Sequence, residues 1–246
     1  MTDTSTQHFA GLKAVFVNCT LKPSPAVSNT QGLMDNAIAI MEKQGVQVDT
    51  FRAVDFDIAP GVSPDMTEDV EGGNQAADDW PALSERILAA DILVIGTPIW
   101  LGDQSSVSKR LVERLDALSG QTNERGQTIY YGRAGGVMIT GNEDGAKHIA
   151  MNLMFSLQHL GFTVPPNSYA SWLGEVGPGP SYLDEGSGGP ESDFTRRNTA
   201  FMAWNLMHTA AWLRSGGGFP TGGNSSEEWS NGNHFGHPDP EQVPRQ

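Results

Sequence analysis

The sequence of 246 residues contains a single cysteine, Cys19, and few positive charges. One thiol cannot form an internal disulfide, a CxxC metal site or an iron-sulfur cluster within the chain. Lys and Arg together number 15 against 29 Asp and Glu, which gives a formal net charge of -14. Nucleic-acid binding depends on basic side chains that release counterions from phosphates, so this charge predicts that nucleic acid is not a partner.

Long apolar runs are also missing, and the N-terminal segment lacks the basic flank and apolar stretch of a secretory leader. A membrane-spanning helix needs about 20 mainly apolar residues. Together with the lone cysteine, which suits a reducing compartment, these absences predict a cytoplasmic protein without membrane contact. We predict no bound metal either, because His234 and His237 have no identifiable further ligands.

Short apolar segments alternate along the chain with segments of helical periodicity. The predicted strands span residues 12–18, 46–51, 91–96, 135–141 and 162–165, with helices between them and a last helix over residues 193–214. Such an alternation requires a parallel sheet with right-handed crossovers and helices on both faces. The sequence therefore predicts an α/β fold, a three-layer αβα doubly wound five-stranded parallel sheet with strand order 2-1-3-4-5.

Two segments fall outside this pattern. Residues 54–79 contain two prolines, several glycines and an acidic run, and are too long for a simple connection. The sequence leaves open whether they contribute to a functional site. Residues 215–246 are rich in Gly, Asn, Ser and Pro and have few apolar anchors. We therefore predict one domain over residues 1–214 and a polar C-terminal tail over residues 215–246, which a partner subunit could hold through Trp229 and Phe235.

The loop after the first predicted strand, NCTLKPSPAVSNT, leads into a helix N-terminus at the ligand-binding edge of a doubly wound sheet. Unpaired N–H groups at a helix N-terminus bind phosphate, and polar side chains complete such a site. The polar side chains of this loop are those of Thr20, Lys22, Ser24, Ser28, Asn29 and Thr30. The alternative is that Ser28 is merely the helix N-cap. Neither GxGxxG nor GxxxxGK[ST] occurs, which favours a mononucleotide over a dinucleotide fold or a P-loop NTPase.

The loop after the third predicted strand, GTPIWLGDQSS, combines apolar side chains with exposed backbone. Pro98 fixes the turn and Gly102 permits close backbone approach. Apolar side chains here could stack on a flat heteroaromatic ring while peptide groups read its polar edge. These side chains are Ile99, Trp100 and Leu101. The alternative is a helix entry capped by Asp103 or Ser105, with Trp100 in the core.

The loop after the fourth predicted strand, TGNEDGAKH, brings small and polar residues to the same edge of the sheet. His148 is the only imidazole near the proposed site, and it could hydrogen-bond a ring edge or serve a structural role. Cys19 lies beside the first loop, where it is either a small buried residue or a thiol whose pKa is lowered by the helix N-terminus.

These strand-loop segments, in their order and spacing between residues 12 and 164, resemble the NADPH-dependent FMN reductase and flavodoxin-like quinone reductase superfamily. The segment GTPIWLGDQSSVSKR is the most specific. The resemblance implies a flavodoxin-like fold and an FMN site built from three loops. It implies that the phosphate is bound by Thr20, Lys22, Ser28, Asn29 and Thr30, that the isoalloxazine is held by Thr97, Pro98, Ile99, Trp100, Leu101 and Gly102, and that its other edge is lined by Thr140, Gly141, Asn142 and Gly145.

The chain departs from this family in two places. Its first loop has Cys19, Thr20 and Lys22 where the family usually begins with a serine and an arginine, and the loop runs several residues longer before Ser28. The cysteine cluster of the iron-sulfur members is absent.

The resemblance implies an enzyme of the NAD(P)H-dependent FMN reductase or quinone reductase type. FMN would pass electrons from NADPH or NADH to a quinone, flavin or similar acceptor, and His148 is the one candidate catalytic side chain because the flavin carries the chemistry. Such proteins assemble with themselves, so a homodimer or homotetramer is expected. Two alternatives stay open, a non-enzymatic flavodoxin-type electron carrier and an FMN-free binding or regulatory module.

Overall fold

Five parallel strands form the central sheet, in a computed structural model that describes residues 8–68, 75–239 and 241. The strands are β1 (Lys13–Asn18), β2 (Gln47–Arg52), β3 (Ile92–Trp100), the two-residue antiparallel β4 (Asp103–Gln104), β5 (Ala134–Gly141) and β6 (Tyr169–Leu173). The strand order is β2-β1-β3-β5-β6, and β4 pairs only with the end of β3. The order of the five parallel strands is therefore the predicted 2-1-3-4-5.

Helices cover both faces of this sheet. They are α1 (Asn29–Lys43), α2 (Trp80–Leu88), α3 (Ser106–Asp116), α4 (Ala146–Leu160), α5 (Asp193–Ser215) and the short α6 (Ser226–Ser230), with a 3-10 turn at Ala53–Asp55. Side chains alternate across a strand, so Ala14 and Phe16 of β1 pack with α1 and α5, whereas Val15 and Val17 pack with α2, α3 and α4. The predicted three-layer αβα arrangement is confirmed.

The last parallel strand was predicted in the wrong place. It lies at Tyr169–Leu173, where it pairs with β5, and not at residues 162–165. Thr163 makes only an isolated parallel bridge to Ala134. Pro165 and Pro166 follow, and a proline has no N–H to donate to a neighbouring strand. The chain turns through Asn167, whose φ is +53°, before it can pair continuously.

The long connection after β2 packs beside α3, apart from its first residues, where Asp55 contacts Ser24 of the loop after β1. The Asp78 carboxylate accepts hydrogen bonds from the backbone N–H groups of Ala59 and Met66 and forms an ion pair of 2.6 Å with Arg114. Both side chains of that ion pair are fully buried. The described part of residues 54–79 is thus held to the core by a buried carboxylate.

The segment after α5 folds back onto the loop between α3 and β5. The Gln127 side-chain amide donates hydrogen bonds to the carbonyl of Pro220 and to Asn224 Oδ1, and Phe219 packs edge-on against Tyr131. Trp229 of α6 packs near Phe235 in the same segment. Residues 219–226 of this segment therefore contact the domain within one chain.

Candidate functional site

A cleft of about 470 Å³ opens at the carboxyl ends of the parallel strands. Its size is within the range of small-molecule and cofactor sites. The loops after β1, β3, β5 and β6 supply its walls. Its lining residues are Thr20, Leu21, Lys22, Asn29, Thr30, Pro98, Ile99, Trp100, Thr140, Gly141, Asn142, Glu143, Trp172, Val176, Gly177, Gly179, Ser181 and Tyr182.

The loop after β1 is held in shape by Asn18, the fully buried last residue of that strand. Asn18 Nδ2 donates to Ser28 Oγ at 3.1 Å and to Gln31 Oε1 at 3.0 Å, and Asn18 Oδ1 accepts from the N–H of Thr20. Ser28 is the N-cap of α1, and its hydroxyl accepts from the N–H of Gln31. One buried amide therefore joins the start of the loop to the start of the helix.

Polar groups of this loop are directed into the cleft. Asn29 Oδ1 accepts the N–H of Leu183 at 2.8 Å, so the Nδ2 donor is the end of the amide that remains for a ligand. The hydroxyls of Thr30 and Thr140 lie 2.8 Å apart and join α1 to the end of β5. Lys22 is exposed at the mouth of the cleft and is the only cation among its described lining residues. This end of the cleft, the donor end, suits a phosphate.

Another part of the cleft wall is formed by the hairpin between β3 and β4. Ile99 is buried, while the Trp100 side chain is 53% exposed. At the tip of the hairpin, Leu101 and Gly102 both have positive φ, +52° and +78°. Ser105 caps α3, and its hydroxyl accepts from the N–H of Ser108. Of this hairpin, Pro98, Ile99 and Trp100 line the cleft, and the turn at Leu101 and Gly102 lies next to them. We call this part the hairpin end of the cleft.

Glu143, in the loop after β5, accepts hydrogen bonds from the tip of that hairpin. Its Oε1 accepts the N–H of Leu101 at 3.0 Å, and its Oε2 accepts the N–H of Gly102 at 3.2 Å. Glu143 lies within the motif GNEDG but was not predicted as a site residue. An acidic side chain among small loop residues at the ligand-binding edge was the available signal.

Two glycines of the loop after β5 allow it to approach the hairpin. A Cβ on Gly141 would lie 2.8 Å from Ile99, and a Cβ on Gly145 would lie 2.4 Å from the carbonyl oxygen of Gly102. Gly145 also has a φ of +131° at the start of α4. Because Gly145 has no side chain, the start of α4 can lie directly against the backbone of the hairpin.

A segment after β6, residues 174–183, covers one side of the cleft, and we name it the strap. Asn142 Nδ2 donates to the carbonyl of Pro180 at 2.9 Å, and Asn142 Oδ1 accepts from the Ser181 hydroxyl at 3.2 Å. Near the same end of the strap, the N–H of Leu183 donates to Asn29 Oδ1. Tyr182 of the strap packs edge-on against Trp172 at a centroid distance of 5.6 Å.

The residues present fit the FMN that the sequence resemblance implies. Hydrogen-bond donors, one ammonium group and the aromatic side chains of Trp100, Trp172 and Tyr182 line the cleft. The model of the family described as NADPH-dependent FMN reductase matches residues 12–174 of the chain. The chain belongs to this family.

Other relatives extend the likeness beyond the residues matched by the FMN reductase family. The chain is 40% identical to the 8-demethyl-8-aminoriboflavin-5'-phosphate synthase of Streptomyces davaonensis, over 82% of this chain and 79% of that protein. It is 61% identical, over 87% of its length, to a Mycobacterium bovis protein named divalent metal cation transporter MntH, of which it covers 32%. The chain thus spans about a third of that relative.

Solved structures give the same picture of the fold. The structure of RosB with the bound intermediate 8-demethyl-8-formylriboflavin-5'-phosphate superposes with a TM-score of 0.81 and 35% identity, covering 96% of this chain and 91% of RosB. An oxidoreductase from Corynebacterium diphtheriae has a TM-score of 0.52 and 15% identity, covering 82% of this chain and 98% of that one. The flavodoxin-like fold of this FMN reductase family member is confirmed.

Two further features bear on the transporter relative. Within the described ranges, no helix combines the length and apolar character needed to cross a bilayer. Across the same residues, no group of three or more His, Cys, Asp or Glu side chains is arranged to hold a metal ion.

Most of the predicted site residues of this family member lie together in the cleft. Those that line it are Thr20, Lys22, Asn29, Thr30, Pro98, Ile99, Trp100, Thr140, Gly141 and Asn142. Ser28, Thr97, Leu101, Gly102, Gly145 and His148 do not line it. Ser28 is the N-cap of α1, and Thr97 is buried against Ser105. Leu101 is 97% exposed.

His148 lies on the outer surface of the first turn of α4. Its Nε2 is 3.8 Å from Asp103 Oδ1, and both side chains are more than half exposed. Cys19 is fully buried, and loss of solvent raises the pKa of its thiol to about 12. The interpretation of Cys19 as a small buried residue agrees with this environment, because a thiol at this pKa remains protonated.

Proposed function

We propose that the cleft binds FMN and that the protein passes electrons from NADPH or NADH through FMN to a quinone, a flavin or a similar acceptor. One observation carries the binding proposal: hydrogen-bond donors, one ammonium group and aromatic side chains line a single cleft at the carboxyl ends of the strands. Bound FMN would supply the two-electron chemistry, as flavins do in this family.

The chain's own residues have binding and shielding roles in this proposal. Lys22, the Asn29 amide and the Thr30 hydroxyl would hold the phosphate, since charged and neutral donors converge there. Trp100 and Trp172 would lie against the ring system and exclude water from it. No side-chain acid or base is needed, and His148 lies outside the cleft.

A second candidate function treats the flavin phosphate as substrate. RosB, at 35% identity, has a riboflavin 5'-phosphate derivative bound as an intermediate, and its similarity covers 96% of this chain. By this proposal the same cleft would hold riboflavin 5'-phosphate while its ring substituents are changed. The two functions predict different fates for FMN. A flavin that carries electrons is recovered with its mass unchanged, whereas a flavin that is the substrate is recovered with an altered mass.

The binding proposal is tested by titrating the protein with FMN and with riboflavin, which lacks the phosphate. We expect the K22A variant to bind FMN about tenfold more weakly, because one charge-assisted contact is lost, and to bind riboflavin unchanged. Lys109→Ala on α3 removes an exposed lysine away from the cleft and provides the matched control. Equal losses for both ligands would argue against a phosphate at the donor end.

The electron-transfer proposal is tested by adding NADPH or NADH anaerobically to the FMN complex and recording its visible spectrum. Prompt bleaching of the flavin bands, with FMN of unchanged mass recovered afterwards, supports a reductase. Persistent bands favour the flavodoxin-type carrier, and a flavin of altered mass favours the second candidate. If no flavin binds, the binding or regulatory module is the better description.

We also propose that the protein works in the cytoplasm as a homodimer or homotetramer, without nucleic-acid or membrane partners. Exposed apolar side chains on α4 and on α5, which lie on opposite faces of the sheet, support self-association, because exposed apolar surface favours burial against another chain. These side chains are Met151, Phe155, Phe194, Phe201 and Trp212. The net charge of -14 supports the exclusion of nucleic acid.

A further inference from the structure

The tip of the β3–β4 hairpin presents two adjacent backbone N–H groups to the cleft side of the loop after β5. Leu101 and Gly102 both have positive φ, +52° and +78°. Both N–H groups are directed to the same carboxylate, so together they form a small site for an anion or a carbonyl oxygen. We name this pair the hairpin nest.

The geometry of the nest is costly to maintain at Leu101. A non-glycine residue in the left-handed region is uncommon, and it persists where the surrounding contacts over-determine it. Leu101 gains no burial in return, since its side chain is 97% exposed. A two-residue hairpin loop needs positive φ at both of its residues, so the pairing of Trp100 with Asp103 holds Leu101 in this conformation although its side chain is exposed.

The Glu143 carboxylate fills the nest, with one oxygen on each N–H at 3.0 and 3.2 Å. Among the described residues, the Glu143 carboxylate makes no other hydrogen bond. Glu143 also lines the cleft and is partly exposed. The side chain can therefore rotate into solvent without leaving another buried group unpaired.

We propose that Glu143 is a displaceable internal ligand of the hairpin nest. In the cleft without ligand its carboxylate occupies the two N–H groups, and a ligand with an acceptor atom on its ring edge must displace it. The flavin of the proposed function has such acceptors on its pyrimidine ring, so this inference rests on that function. Displacement breaks two charge-assisted hydrogen bonds, and the cost lowers the affinity for FMN.

A competing role for Glu143 and a purely structural role predict opposite changes in FMN affinity when Glu143 is replaced. If Glu143 merely shaped the hairpin for a ligand, removing it would weaken binding because the tip would lose its support. If Glu143 competes with the ligand, removing it strengthens binding. The carboxylate also brings a negative charge toward a ligand that carries a phosphate, which adds to the competition.

The test compares FMN dissociation constants of the wild-type protein with those of the E143Q and E143A variants. Asp144→Asn is the matched control, because Asp144 is the exposed neighbour in the same loop and loses the same charge. We expect FMN to bind about tenfold more tightly to E143Q and E143A and with unchanged affinity to D144N. Thermal unfolding without FMN checks that each variant is folded.

Hydrogen exchange of the ligand-free protein gives a second readout. The amides of Leu101 and Gly102 should exchange faster in E143A than in wild type, because their acceptor is gone. Weaker or unchanged FMN binding by both Glu143 variants, while wild type binds FMN, would overturn the inference and leave the proposed function standing. Failure of wild type and variants alike to bind FMN would overturn both.

Discussion

The two ends of the cleft are built on opposite plans. At the donor end, the buried Asn18 amide fixes the loop from behind, and the groups that face the cleft keep donors for a ligand. At the hairpin end, the available N–H groups are already taken by Glu143, and the loops are joined through side chains that themselves border the cleft. One end is rigid and open, whereas the other is closed by its own contacts.

The two ends of the cleft should therefore contribute differently to the affinity for a ligand and to the rate at which the ligand is released. A preorganised donor end gains binding energy without reordering, because the ordering is done by groups behind the site. A hairpin end that must exchange one set of hydrogen bonds for another contributes less net affinity but can respond to the ligand. Variants at the two ends should therefore affect different quantities.

The largest effect is expected from removing the support of the donor end. Asn18→Ala deletes a buried amide that serves Ser28, Gln31 and the N–H of Thr20. Leaving these buried groups without partners should lower the free energy of unfolding by about 2 to 3 kcal/mol and the FMN affinity by about 100-fold. Urea unfolding and FMN titration measure the two losses. An N18A protein with normal FMN affinity would show that the loop does not depend on this residue.

A smaller effect, on rate more than on stability, is expected from loosening the strap. Asn142→Ala removes the side-chain bonds to Pro180 and Ser181 that hold the strap over the cleft. FMN should dissociate about tenfold faster because the strap opens more readily, and the free energy of unfolding should fall by about 1 kcal/mol, since partly exposed hydrogen bonds contribute at the low end of about 0.5 to 1.5 kcal/mol each. Stopped-flow release of FMN measures the rate. Ser181→Ala, which deletes one of these bonds, should have a smaller effect, and an equal effect would contradict the assignment.

The smallest effect is a pH-dependent change in stability at Asp55, which contacts the loop after β1 outside the cleft. The Ser24 hydroxyl, followed by its backbone N–H, donates to Asp55 and lowers the pKa of that carboxyl below its ordinary value. Stability from this contact is present above the unfolded-state pKa of about 3.9 and is lost as pH falls through the lowered value.

Asp55→Asn should therefore reduce stability at neutral pH and leave it nearly equal to wild type in acid. The difference should be no more than about 1 kcal/mol, because Asp55 is exposed. Urea unfolding of both proteins across this pH range measures it. A difference that grows on acidification would mean that the Asp55 carboxylate does not stabilise the loop.

The sequence allowed the parallel core and its order to be predicted because buried strands leave a local signal. Apolar segments such as residues 91–96 and 135–141 can be recognised without knowledge of their neighbours. The edge strand was misplaced because Tyr169–Leu173 is only partly buried and follows two prolines. The apolar residues 162–165 were the stronger local pattern, although Pro165 and Pro166 prevent them from pairing continuously.

The site was predicted where it follows the strands and missed where it depends on distant contacts. Thr20, Asn29 and Trp100 were found because they follow recognisable strands. Trp172 was missed with its strand, and Tyr182 could not be predicted from a Gly/Pro-rich loop whose position depends on Asn142 and Asn29. Correct placement of β6 would have put an aromatic side chain beside the cleft.

The shared hydrogen bond between Thr30 and Thr140 has a consequence for how the donor end adapts. Their oxygens lie 2.8 Å apart and either hydroxyl can donate, so the pair uses one proton and keeps the other. Reversing the direction of this bond moves the spare proton from one wall of the cleft to the other without moving a heavy atom. The pair can thus offer its donor on whichever side the bound molecule presents an acceptor.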